Sequence, residues 1–194
     1  MSGAPVRKRR ADADRSRVAI LDAAARILDA QPEASVETIA EAAGVTRQTV
    51  YAHFPSRERL LLAVLDRLTE RTAAAMDAAE PDSGPAIEAL LRVLDAAAAE
   101  AGRYPALLQR INALPVSAQD DRDRHTSIAD RIAQVIERGR ATGEFDDGLP
   151  VDWLVAVTIR LAHTASEERD SGRMSAAAAG RALRTSLVRM LGVR

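Results

Sequence analysis

Cysteine is absent from the 194 residues, which removes a disulfide framework, a thiolate metal site and a cysteine nucleophile together and fits a reducing cytoplasm. Aromatic residues make up only 3% of the chain. With glycine and β-branched residues also sparse against abundant Ala, Leu, Arg and Glu, the composition predicts an all-α protein. No uncharged stretch approaches the roughly 18 residues that would span a bilayer, and no apolar signal core follows Arg7-Lys8-Arg9-Arg10, so a cytoplasmic protein without a membrane partner is expected. GxSxG, HExxH, P-loop and dinucleotide fingerprints are all missing, so neither catalytic residues nor a cofactor is expected. His163 and Glu167 have the helical spacing of a metal-ligand pair, but no third ligand accompanies them and no metal is expected.

One sign of charge is also missing as an excess. The formal net charge is −1, so any attraction to a polyanion has to come from a local patch rather than from the whole molecule. Residues 1–59 hold ten Lys or Arg against eight Asp or Glu. Acids such as Glu33, Glu37 and Glu41 are therefore expected to face away from such a patch. Lysine occurs only at Lys8; arginine's planar fork suits bidentate recognition, although a codon bias accounts for the preference more simply.

What is present is helical periodicity with clear punctuation. Residues 1–14 lack periodic apolar positions and read as a disordered basic arm. From Arg15 onward Val18, Leu21, Ala25 and Leu28 form an amphipathic stripe that stops before Pro32. Ser35 can cap a short helix near Val36–Ala43, and Gly44 ends it. Thr46 can cap another that runs to about His53 and is broken at Pro55. Ser56 opens a long helix carrying Leu60, Val64, Leu68, Ala75 and Ala79, interrupted by Pro81-Asp82-Ser83-Gly84-Pro85. Further stripes predict helices near 85–101, 104–114, 119–141, 150–170 and 174–192, about nine in all. The expected division is a helix-turn-helix domain over 15–55, a linking helix over 56–80 and a larger helical domain over 81–194.

Two short helices around a tight glycine turn are what a helix-turn-helix needs, the second helix entering the major groove of DNA with its N-terminal residues. Gly44 supplies the positive φ, and Val45 can plug the angle between the helices. Thr46, Arg47, Gln48 and Thr49 follow, side chains that can read guanine, adenine, a thymine methyl or a phosphate. Tyr51, His53 and Arg57 are placed to meet phosphate oxygens, with Phe54 in the core.

With those residues in place, Val18–Leu65 resembles the DNA-binding domain of TetR-family transcriptional regulators. The resemblance is carried by Ile39-Ala40, Ala43-Gly44-Val45, Thr49-Val50-Tyr51, His53-Phe54 and Arg57-Glu58. It implies base and phosphate contacts at Arg47, Gln48, Thr49, Tyr51, His53 and Arg57, with Ser35 and Val36 near the DNA backbone and Thr46 among the variable positions. It further implies a repressor that binds a palindromic operator in double-stranded DNA as a homodimer and is released by a small-molecule effector. Arg57 stands where lysine is usual in the family, and Pro32-Glu33-Ala34 replaces a glycine-containing loop.

Beyond the first third of the chain only pattern remains. Tyr104, Leu107, Leu108, Ile111, His125, Trp153, Val157 and His163 are the candidate effector-binding residues. Trp153 to Leu161 is apolar nearly all round, and Leu183, Leu187, Met190 and Leu191 form a stripe on the last helix. Val157, Leu161, Leu183, Leu187, Met190 and Leu191 are accordingly the expected dimer interface, a four-helix bundle across a two-fold axis. Two alternatives stand beside this reading: a helical ligand-binding dimer without DNA binding, and a helical-bundle enzyme using His125, His163 and acidic residues.

Overall fold

The computed structural model describes residues 4–112 and 118–193. Among the described residues there are nine α-helices and no strand: α1 (Ala4–Ala30), α2 (Val36–Ala42), α3 (Arg47–His53), α4 (Arg57–Ala78), α5 (Ala86–Ala101), α6 (Pro105–Asn112), α7 (Ala118–Ala141), α8 (Val151–Asp170) and α9 (Ala176–Met190). The break expected at Pro115 lies outside the described residues.

The chain divides into two compact units, Met1–Leu68 with Arg103–Val116, and Thr69–Gly102 with Ser117–Arg194. This differs from a division in chain order, because α6 joins the first unit rather than the helices that flank it in sequence, and α4 contributes to both. The cause is local. The Asp29 carboxylate accepts the Leu107 backbone N–H at 3.0 Å, satisfying an orphan donor in the first turn of α6. Arg110 reaches Glu33 at 2.7 Å, and Leu107 is buried with α1 side chains.

The first unit is built on α1, against which α2, α3 and α6 pack. Its core comprises Ile20, Leu21, Ala24 and Leu28 of α1, Ile39 of α2, Val50 of α3, Phe54, and Leu60 and Val64 of α4. The arm expected over residues 1–14 is, from Ala4, the start of α1. No glycine occurs between Ala4 and Ala30, Ala and Arg are strong helix formers, and Asp12 pairs with Arg15 one turn on.

In the second unit α8 packs on both α7 and α9, and α5 on both α7 and α8. Met76, Leu90, Val93, Ile132, Ile136, Phe145, Leu154, Leu187 and Leu191 are buried there. Arginine carries much of the loop structure. Arg92 donates to the carbonyls of Ala79, Glu80 and Ser83 at 3.1, 2.9 and 2.7 Å, and Arg138 to those of Gly84 and Pro81 at 2.9 and 3.1 Å. The Pro81–Pro85 connector is thus held by two guanidinium forks, a use of arginine's several donors that lysine could not reproduce.

Candidate nucleic-acid interface

The candidate site is the α2–turn–α3 segment of the first unit. Ser35 caps α2, its hydroxyl accepting the Thr38 N–H at 3.2 Å, and Thr46 caps α3 by accepting the Thr49 N–H at 3.1 Å. Between them Gly44 has φ +67°, a conformation that side-chain-bearing residues rarely adopt. Ile39, Ala40 and Val50 turn inward, and the two helices are locked to α1 through them.

Burying Val50 and Phe54 leaves one face of α3 outward, with Thr46, Arg47, Gln48, Tyr51 and Ala52 exposed. Thr49 is half-buried, and its hydroxyl lies 2.9 Å from that of Thr46. His53 is half-buried beside Phe54, ring centroids 6.0 Å apart. Ser35 is exposed at the start of α2, whereas Val36 packs against the core.

Three residues depart from expectation. Arg57 turns into the protein: its guanidinium donates to the carbonyls of Ala34 at 2.6 Å and Pro32 at 2.8 Å. It fixes the loop that replaces the family's glycine-containing one, because a loop with a rigid proline leaves carbonyls that a two-pronged donor can satisfy. Glu37 does not face away from the exposed arginine; its carboxylate lies 2.5 Å from the Arg47 guanidinium. Arg17 of α1, which no motif marks, places its guanidinium 5.6 Å from the centroid of the Phe54 ring. A Glu at the first turn of one helix and an Arg at the first residue of the next is a signal that sequence carries, but only the turn angle reveals that they meet.

The expected effector residues are divided between the two units. Tyr104, Leu107 and Leu108 belong to the first unit, packed with its core, while His125, Trp153, Val157 and His163 belong to the second. The side chain of Ile111 lies outside the described residues. Trp153 is 59% exposed and lines a shallow recess of about 300 Å³ on α8 with Ala156, Val157, Arg160, Leu161 and Thr164. Of the expected interface residues, Leu187 and Leu191 are fully buried in the core of the second unit. The last-helix stripe serves that core first, because the α8–α9 packing consumes its innermost positions. Leu183, Met190 and Leu161 are half-buried against the same core.

The model of the family described as bacterial regulatory proteins, tetR family, matches residues 20–64, a span that contains the whole α2–α3 constellation. In sequence the chain is 44% identical over 82 residues to the HTH-type transcriptional repressor LfrR of Mycolicibacterium smegmatis, covering 42% of this chain and 43% of that one. It is 39% identical over 72 residues to the HTH-type transcriptional regulator EthR of Mycobacterium tuberculosis, covering 36% and 33%. The aligned region thus spans less than half the length of the curated relatives it matches. The crystal structure of LfrR from Mycobacterium smegmatis in complex with proflavine superposes with a TM-score of 0.66 and 30% identity over 90% of this chain and 95% of that one. The chain belongs to the TetR family. As a TetR-family protein it keeps the helix-turn-helix intact, with both N-caps and the glycine turn in place, and no helix among its described residues is long and apolar enough to cross a membrane.

Proposed function

We propose that this chain is a ligand-responsive DNA-binding transcriptional regulator, a repressor that leaves an approximately palindromic operator when a small-molecule effector binds. One observation carries the DNA-binding reading: a capped recognition helix, locked to its core through Val50, that exposes Thr46, Arg47, Gln48 and Tyr51 on a single face. Arg47 and Gln48 read base edges, Thr46, Thr49, Tyr51, His53 and Ser35 sit against phosphate or groove wall, and Val36 supports α2 from within. LfrR, a transcriptional repressor crystallised with proflavine, supports an effector-binding second unit. The exposed Trp153 recess supports a homodimer through α8, since a contiguous apolar patch of this kind marks an association surface. A two-fold dimer places its half-sites about one helical turn apart, roughly 34 to 36 Å or a multiple of it.

The test is selection of bound sequences from random duplex DNA with the full chain, followed by titration. A palindromic consensus is expected, and Arg47→Ala should weaken binding to it by about 10- to 100-fold while relaxing preference at one base position of each half-site. Failure to enrich any sequence would sink the reading.

A further inference from the structure

The meeting of Glu37 and Arg47 places a carboxylate on the face that reads DNA, where net attraction to a polyanion would favour none. Arg47 is the first residue of α3 and Glu37 lies in the first turn of α2. The Arg47 guanidinium stands between two partners, the Glu37 carboxylate at 2.5 Å and the Tyr51 ring, whose centroid is 5.3 Å away. The side chains are 60% and 53% exposed, so water and salt compete for the pair and DNA can break it. The Glu37 carboxyl is held below the usual carboxylate range by its own backbone N–H and, less strongly, by the charge of Arg47 and the Ser35 hydroxyl.

An arginine free to swing beside DNA neutralises whichever phosphate is nearest, and that contact strengthens binding to every sequence alike. A carboxylate beside the guanidinium changes this. A phosphate approaching Arg47 meets the like charge of Glu37, whereas the edge of guanine offers two uncharged acceptors and meets no such repulsion. Discrimination then comes from a repulsive element set against the wrong contact rather than from an added attraction. The Tyr51 ring, one turn along α3, also attracts the guanidinium, which favours an arginine held over α3 rather than along the DNA backbone.

We propose, resting on the DNA-binding reading above, that Glu37 is a specificity-determining residue which keeps Arg47 from phosphate until a base edge takes the place of its carboxylate.

Glu37→Gln keeps the shape and an acceptor while removing the charge. Its affinity is measured on the duplex selected by the wild-type chain and on a scrambled duplex of the same length, across a salt series. Releasing Arg47 to one further phosphate should tighten binding to the scrambled duplex by about 8-fold at 0.1 M salt and steepen its salt slope by about 0.9. Affinity for the selected duplex should change much less, so the ratio between the two contracts. Glu41→Gln removes the same charge one turn further along α2 and should leave both the ratio and the slope as in the wild type. An unchanged ratio in Glu37→Gln, a loss of equal size on both duplexes, or a Glu41→Gln variant that behaves identically would each overturn the inference while leaving DNA binding in place. A wild-type chain that selects no sequence would overturn both.

Discussion

The first unit is organised by its helix ends, the second by its helix faces. Ser35, Thr46 and Ser56 accept N–H groups at the starts of α2, α3 and α4, and the short helices between them expose residues at known offsets from those caps. In the second unit Ser175 caps α9, but α5 and α8 begin at Pro85 and Pro150 without a side-chain cap, and what matters more is which side of a long helix meets which neighbour. Caps, prolines and positive-φ glycines act within a few residues and can be recognised one at a time. Apolar stripes only say that a face is covered; whether its cover is the same chain or another copy is set by contacts far away in sequence.

Leu187 and Trp153 sharpen that contrast most, and the expected effect is the largest. Both sit on stripes predicted to be apolar contacts, yet Leu187 is 0% and Trp153 59% exposed. Leu187→Ala should therefore cost about 2–5 kcal/mol of stability, the usual range for a buried leucine, read by urea unfolding. Trp153→Ala should cost far less by that measure at high protein concentration but shift the mass distribution in light scattering towards the monomer. A Leu187→Ala chain that dissociates without loss of stability would reverse the assignment of the two faces.

Arg57 tests the boundary of what was legible in the first unit. The all-α fold, the short helices of the helix-turn-helix, the Gly44 turn and the exposed Arg47, Gln48 and Tyr51 all follow from spacing. The direction of Arg57 does not, because its partners, the Pro32 and Ala34 carbonyls, lie across a loop whose path no periodicity describes. The same reason hides Glu37 beside Arg47, α6 in the first unit through Asp29, and Leu187 in a core rather than at an interface. In each, the deciding contact joins two separate elements, and the angle or loop path between them is not written in either one's periodicity. Arg57→Ala leaves two carbonyls short of donors and should lower stability by about 1–3 kcal/mol. The salt slope of DNA binding should stay at its wild-type value, since a guanidinium bound to the protein's own carbonyls neutralises no phosphate. A flatter slope at unchanged stability would return Arg57 to the DNA.

The smallest effect is expected at Asp77 and Arg131, a pair in the second unit that no sequence pattern joins. Both Arg131 Nε and Nη2 reach the carboxylate at 2.6 Å, and Nη1 donates to the Ser127 carbonyl at the same distance. That fork holds the Asp77 carboxyl below its ordinary range, against an opposing effect of burial, with the charge of Arg131 adding a smaller lowering. A depressed folded-state pKa means that the unfolded chain binds the proton more tightly, so the pair stabilises the fold above the ordinary aspartate value of about 3.9. The contribution fades as pH falls through the lower folded value. Because the Asp77 side chain is 54% exposed, solvent screening keeps it under about 1 kcal/mol. Thermal unfolding of Asp77→Asn against the wild type should show a small gap that is constant from pH 7 to about 5 and closes below pH 4. A gap that persists at pH 3 would mean that the carboxylate's shape, not its charge, holds α4 to α7, and that the second unit is built from faces alone.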